Sequence, residues 1–155
     1  MTAAFIKSSI INHLGFKCDV MCDEVGLPVL EEWGTTMFAD VMEVKKNGTV
    51  IIYEVKSGVP DFKADRKWRN YLDHCHLLYF VADKKTIDYI EGEIPSNIGL
   101  YTVSDSGFMH IKRRAKNTKN NINSGAVKSE LLRKVYYRFL KNWKKVHKDL
   151  RLNHD

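Results

Sequence analysis

Cysteine and proline are both scarce, at three each among 155 residues. Three cysteines cannot build the disulfide framework of a small secreted domain. No apolar run approaches the roughly 20 residues that cross a bilayer, which excludes a membrane-spanning chain. Residues 1–16 contain Lys7, Asn12 and His13 and so lack the uncharged stretch of a secretory leader. A reducing cytoplasm is the expected location. Acid is also scarce at one end. Residues 112–155 hold 14 Lys and Arg against 3 Asp and Glu, while residues 1–111 hold 11 against 16. This asymmetry predicts a body with one task and a basic appendage that meets a polyanion; a merely solvated basic helix is the alternative.

What is present is ordinary for a globular chain, with 44% hydrophobic and 28% charged residues. Phe5, Ile6, Ile10, Ile11 and Leu14 recur at helical spacing, so Thr2–Leu14 is expected to be a helix closed by Gly15. Phe16–Leu30 reads as an irregular segment with one edge strand. Ala39–Val44 and Thr49–Lys56 read as the arms of a hairpin turning at Lys46-Asn47-Gly48. Pro60–His74 reads as one helix, with Phe62, Trp68, Tyr71, Leu72 and Cys75 forming its apolar stripe. Leu77–Ala82 has the unbroken apolarity of a strand buried on both faces. Two short strands are expected near Leu100–Val103 and Met109–Lys112. The spacing thus divides the chain into a body over 1–115, a polar linker over 116–125 and a basic amphipathic segment over 126–155. Its helix is expected over Val127–Leu150, with Leu132, Val135, Tyr136, Phe139, Trp143, Val146 and Leu150 as the apolar stripe.

The residues that suggest chemistry are Asp40 and, on the other hairpin arm, Glu54 and Lys56. A two-residue turn would set Asp40 across from Val55. A three-residue loop with Gly48 in the left-handed region sets it across from Glu54, and this register is the one expected. Asp40, Met42, Val44, Val50, Ile52, Glu54 and Lys56 would then share one face, apolar near the turn and charged at the open end. Two carboxylates at 4 Å repel by about 4 kcal/mol at an effective dielectric near 20. A divalent cation relieves this, and hard oxygen ligands suit Mg²⁺ or Mn²⁺. Lys56 could then orient water or stabilise charge on a phosphate. An ordinary salt-bridged strand end is the competing reading.

The order helix–strand–hairpin–helix–strand with Asp40 and Glu54-Val55-Lys56 resembles the PD-(D/E)XK nuclease superfamily. Ala39-Asp40-Val41-Met42, Glu54-Val55-Lys56-Ser57, Asp61-Phe62, Ala64-Asp65-Arg66-Lys67-Trp68, Tyr71 and Leu78-Tyr79-Phe80 more closely resemble the MmcB family of DNA-repair proteins. The likeness spans about residues 1–113. It implies an α/β (α+β) fold: a restriction-endonuclease-like core, its central mixed sheet flanked by helices, here with a long basic C-terminal helix added. It also implies a Mg²⁺- or Mn²⁺-dependent DNA nuclease acting in repair or damage tolerance, cytoplasmic and nucleoid-associated. The alternative is a nuclease-fold binding module of weak or no activity. By the same resemblance Asp40 and Glu54 hold the metal and Lys56 serves the water. An additional acid often lies on the first helix of such nucleases. Thr2–Leu14 has none, which leaves Glu24, Glu31 or Glu32.

Around this constellation, Ser57, Asp61 and Asp65 are expected as outer contacts, with Asp61 near the helix start. Lys63 and Lys67 are candidate phosphate ligands, while solvation alone is the alternative. Trp68 and Tyr71 are expected in the core. Cys18, Cys22 and His74-Cys75-His76 lack the tight paired spacing of structural zinc and are read as free thiols and ordinary histidines. On the terminal helix, Lys128, Arg133, Lys134, Arg138, Lys141, Lys144, Lys145 and Lys148 are expected to meet DNA phosphates without reading bases. The stripe of that helix is expected to pack on the body, to pair two copies as a homodimer, or to lie loose.

Overall fold

The computed structural model describes residues 1–27 and 37–148. Glu31, Glu32 and Leu150 lie outside these residues. The chain opens with α1 (Ala3–Leu14), capped by the Thr2 side chain, which accepts the Phe5 N–H. Six strands follow: β1 (Val20–Leu27), β2 (Met37–Val44), β3 (Val50–Val55), β4 (Leu77–Ala82), β5 (Gly99–Val103) and β6 (Met109–Arg113). They form one mixed sheet in sequence order. The β1–β2, β2–β3 and β5–β6 pairs are antiparallel, and β3–β4 and β4–β5 are parallel. The fold is α+β: a mixed sheet flanked by helices and followed by a long C-terminal helix.

The hairpin has the expected register. Val44 pairs with Val50 and Met42 with Ile52. The Lys45 N–H donates to Thr49 O at 2.9 Å and the Gly48 N–H to Lys45 O at 2.8 Å, leaving residues 46–48 as the loop. Gly48 has φ +85°, open to glycine at little cost. Met42, Val44, Val50, Ile52, Leu78 and Phe80 belong to the larger core cluster. Val41, Ile51, Tyr53 and Val81 belong to a second cluster, which the buried Ile6 and Ile10 of α1 cover.

The expected helix over Pro60–His74 breaks in two. Helix α2 covers Val59–Ala64 and a 3₁₀ helix covers Trp68–His74. Asp65 is extended, with φ −82° and ψ 108°. Its Oδ1 accepts the Lys67 N–H at 2.8 Å and its Oδ2 accepts from Lys56 at 2.6 Å. These bonds compete with helix continuation, so Asp65 and Lys67 leave the helix that carries Asp61 and Lys63. Trp68 and Tyr71 are buried, as expected. A helix absent from the sequence reading, α3 (Lys84–Glu91), connects β4 to β5, as parallel strands require. Asp83 caps it, accepting the Thr86 N–H, and Ile87 and Ile90 are buried beneath it.

The polar stretch after β6 lies against the body. The Thr118 N–H donates to His76 O at 2.8 Å, its hydroxyl to Cys75 O at 2.9 Å, and the Asn120 side chain to Leu72 O at 2.7 Å. Helix α4 (Ser124–Val146) then packs along β1, but not through the expected stripe. Leu131 is fully buried and Val127 packs against the core. Lys128 pairs with Asp19, Arg138 with Asp23, and Lys134 donates to the Glu24 carbonyl. Arg138 also donates to the Asp23 carbonyl. Leu132, Val135, Tyr136, Phe139, Trp143 and Val146 are instead exposed. The acidic edge strand draws in the charged face of α4, and those cations cover backbone groups that an edge strand otherwise leaves open. Among the described residues, no helix is long and apolar enough to cross a membrane.

Candidate active site

The site lies where β2 and β3 reach the open end of the hairpin. β3 continues as the parallel neighbour of β4 through the Lys56 N–H, which donates to Val81 O at 3.0 Å. This burial places Glu54 and Lys56 inside the protein, at 5% and 3% exposure. The two are joined by a 3.0 Å bond from Lys56 Nζ to Glu54 Oε1. Asp65, brought back by the break after α2, accepts from the same ammonium. Lys56 is therefore held between two carboxylates, with the Asp40 side chain, 25% exposed, at the more open edge of the site.

Asp40 departs from simple strand alternation. Ala39 joins the same core cluster as Met42 and Val44, so the alternation slips at Asp40. Its neighbour on β1 slips likewise. Cys22 and Val25 both belong to that cluster, with Glu24 between them at φ +49°. Asp40 consequently does not sit squarely on the Met42–Ile52 face, as the sequence reading expects. Its Oδ2 accepts the Val55 N–H at 2.8 Å and its Oδ1 lies 3.9 Å from Lys7 Nζ. It remains close enough to Glu54 for each carboxyl to affect the other's protonation.

The electrostatics follow from burial. Desolvation, and then the charge of Asp40, pushes the Glu54 carboxyl up to about 8. Desolvation also raises Asp40, against the opposing Val55 N–H and Lys7. For Lys56, burial favours the neutral amine, but the Glu54 and Asp65 carboxylates outweigh it and its pKa rises. Glu54 Oε2 is the one buried side-chain polar atom among the described residues without a hydrogen-bond partner. A buried carboxylate oxygen left this way carries a desolvation cost that a cation would remove.

Other expected residues lie nearby in different roles. Asp61 Oδ2 accepts the Ser57 N–H at 2.9 Å and its hydroxyl at 3.1 Å, fixing the turn after Lys56. Lys63 lies over the Tyr89 ring at 5.0 Å, on the α3 side. Lys67 is exposed beyond the break. Glu24 is paired with Lys7. Arg133, Lys141, Lys144, Lys145 and Lys148 are exposed, whereas Lys134 and Arg138 are engaged with β1. Cys75 is buried, donates to Tyr71 O at 3.3 Å, and has its thiol pushed up to about 12 by burial; His76 Nδ1 accepts the Val50 N–H. Among the described residues, no three His, Cys, Asp or Glu side chains converge to hold a metal. The candidate set is thus two carboxylates.

Two contributors are missing from the sequence reading. Lys7 reaches Asp40 and Glu24 from α1; its only signal is a lysine beside the buried Ile6. Tyr71 is read as core alone, yet its hydroxyl donates to Phe38 O at 3.0 Å, two residues before Asp40. Burial raises its pKa, as do the charges of Glu54, Asp65 and Asp40.

A family model described as DNA repair protein MmcB-like matches residues 19–136. The chain belongs to the MmcB-like DNA repair family. The match takes in all six strands, the Asp40–Glu54–Lys56 site, the polar stretch and the first half of α4. The match runs past residue 113, the limit read from the motifs, but begins at residue 19, so α1 lies outside it. A solved structure of a protein of unknown function from Silicibacter pomeroyi is similar, with a TM-score of 0.70 and 22% identity over 95% of this chain and 92% of that one. At that identity the likeness concerns the fold. No curated protein matches.

Proposed function

We propose that this MmcB-like chain is a metal-dependent DNA nuclease of the PD-(D/E)XK type, acting in repair. The observation that carries the reading is Glu54 Oε2, buried without a partner beside Asp40 and next to an ammonium held in place. Asp40 and Glu54 would hold Mg²⁺ or Mn²⁺, which takes one or two carboxylates and completes its shell with water and phosphate. The metal would supply Lewis-acid polarisation of the phosphate and a more acidic water. The chain's own groups do the rest. The Val55 N–H fixes Asp40, Asp65 fixes Lys56, and Asp61 with Ser57 fixes the turn between them. The buried Lys56 ammonium, held by Glu54 and Asp65, would set a fixed positive charge near the phosphate as water adds to phosphorus and the ester oxygen leaves. Hydrolysis yields one phosphomonoester and one hydroxyl.

One observation favours the second reading, a binding module that keeps the fold without cutting. A Glu54 carboxyl pushed up to about 8 is largely protonated at neutral pH, which weakens it as a ligand. Incubation of wild type and Glu54→Ala with labelled single strands, duplexes, flaps and gaps, with Mg²⁺, Mn²⁺ or EDTA, separates the two. Metal-dependent cutting by the wild type alone supports the nuclease. Binding without cutting under every condition supports the module.

A further inference from the structure

Between α4 and the open ends of β1 and β2 lies a cleft of about 500 Å³, lined by Val25, Gly26, Phe38, Arg133, Tyr137 and Lys141 among others. Two of its rings face solvent: Phe38 is 52% exposed and Tyr137 59%. Each carries a cation beside it. Lys134 Nζ lies 5.9 Å from the Phe38 centroid, and the Arg133 guanidinium lies 5.9 Å from that of Tyr137. Among the described residues Glu130 is the one acid of the lining, and Arg133 reaches it at 3.5 Å. The cleft adjoins the candidate active site. Phe38 is two residues from Asp40, and its carbonyl is fixed by Tyr71. Glu24 joins Lys134, through its carbonyl, to Lys7, which lies 3.9 Å from Asp40.

An exposed ring beside a cation, repeated twice in a basic cleft, matches what an unpaired nucleotide chain offers: a free base face and, one step along, a phosphate. A duplex hides its base faces in the stack and would leave both rings unused. A second copy of this chain would bring the same excess of positive charge into the cleft. We propose that the cleft between α4 and the β1–β2 end binds a single-stranded nucleic-acid segment and leads it to the Asp40–Glu54 site. The choice of a nucleic acid rests on the DNA-acting reading above; the cleft's role does not depend on cleavage.

The test measures binding of the full chain in EDTA to a labelled oligothymidylate and to a duplex of equal length, by fluorescence anisotropy. The variants are Phe38→Ala, Tyr137→Ala, their double, and Phe38→Tyr with Tyr137→Phe, which keep the rings. Loss of each ring should weaken single-strand binding by roughly fivefold or more, leave duplex binding within about twofold, and be rescued by the ring-keeping variants. Arg133→Gln with Lys141→Gln should flatten the single-strand salt slope by about 0.7 for each phosphate no longer neutralised. The inference is overturned if the wild type fails to bind the oligothymidylate, or if the double variant binds it as wild type does. Equal loss on single strand and duplex also overturns it. So does a ring-dependent change in sedimentation mass with binding unchanged, which would make the cleft an interface between copies. Ring-dependent binding without metal-dependent cutting would leave this inference standing and remove the nuclease reading alone.

Discussion

Lys56 Nζ donates to Glu54 Oε1 at 3.0 Å while the other oxygen of the same carboxyl, Oε2, is buried without a partner. The ammonium thus satisfies half of Glu54 and leaves the other half to a proton shared with Asp40 or to a second cation. Asp65 tightens the arrangement from the far side of Lys56.

Removal of the lysine should be costly. Lys56→Met leaves Glu54 and Asp65 facing each other without the cation between them. Breaking a buried pair in this way costs about 3–5 kcal/mol. Urea denaturation should show a loss of that order, and Lys56→Met with Glu54→Gln together should recover a large part of it. A single variant as stable as wild type would mean that the site is well hydrated.

The pH dependence of metal-free protein follows from Glu54. Its folded pKa, near 8, lies above the ordinary value of 4.5. The folded state therefore binds more protons than the unfolded state between these values, and stability falls as pH rises through that window. Thermal melts in EDTA should drop from pH 5 to pH 8, and Glu54→Gln should flatten the fall. Added Mg²⁺ should restore stability most at the alkaline end, where the carboxylate is charged. A wild-type curve as flat as that of Glu54→Gln would place the Glu54 carboxyl in its ordinary range.

Asp40→Asn should abolish metal-dependent cleavage while DNA binding in EDTA is kept or strengthened, because one negative charge beside the phosphate path is removed. The Asn side chain can still accept the Val55 N–H, so folding should survive. Wild-type cutting rates in this variant would remove Asp40 from the metal site.

On the other sheet face, Tyr53 donates its hydroxyl to the buried Glu43 at 2.5 Å. Burial raises the Glu43 carboxyl, and Tyr53→Phe would leave that oxygen without its donor. A loss of about 1–3 kcal/mol is expected at neutral pH, with cleavage of DNA unchanged. Altered cleavage would tie this face to the site.

Charge reversal at Lys141, Lys144, Lys145 and Lys148 tests the outer part of α4 and Lys148 just past it, which are exposed and make no ion pair with the body among the described residues. Each phosphate that the helix no longer neutralises should flatten the duplex salt slope by about 0.9. Melts should be unchanged, because Leu131, Lys128 and Arg138 hold the inner half of the helix. An unaltered slope would assign the outer half of α4 to something other than DNA.

Local sequence is enough to settle the hairpin and its register. A loop of three residues with glycine in the left-handed position admits one pairing, and alternation then aligns Met42 with Ile52. It also settles the doubly buried β4 and the pairing of Glu54 with Lys56, since residues two apart on a strand share a side. Three matters depended on the assembled fold. Helix α2 stops at Asp65 because the ammonium of Lys56, nine residues back but buried by the sheet, offers its carboxylate more than another helical turn does. Helix α3 has only Thr86, Ile87 and Ile90 to mark its buried face, too few for periodicity to speak. Helix α4 turned its most apolar stripe to solvent, because β1 and the residue before it present Asp23, Asp19 and unpaired edge carbonyls to the cations on the other face. Periodicity ranks the faces of a helix by apolarity. Which face is buried depends on the charge of the surface it meets, and that surface exists only once the sheet has formed.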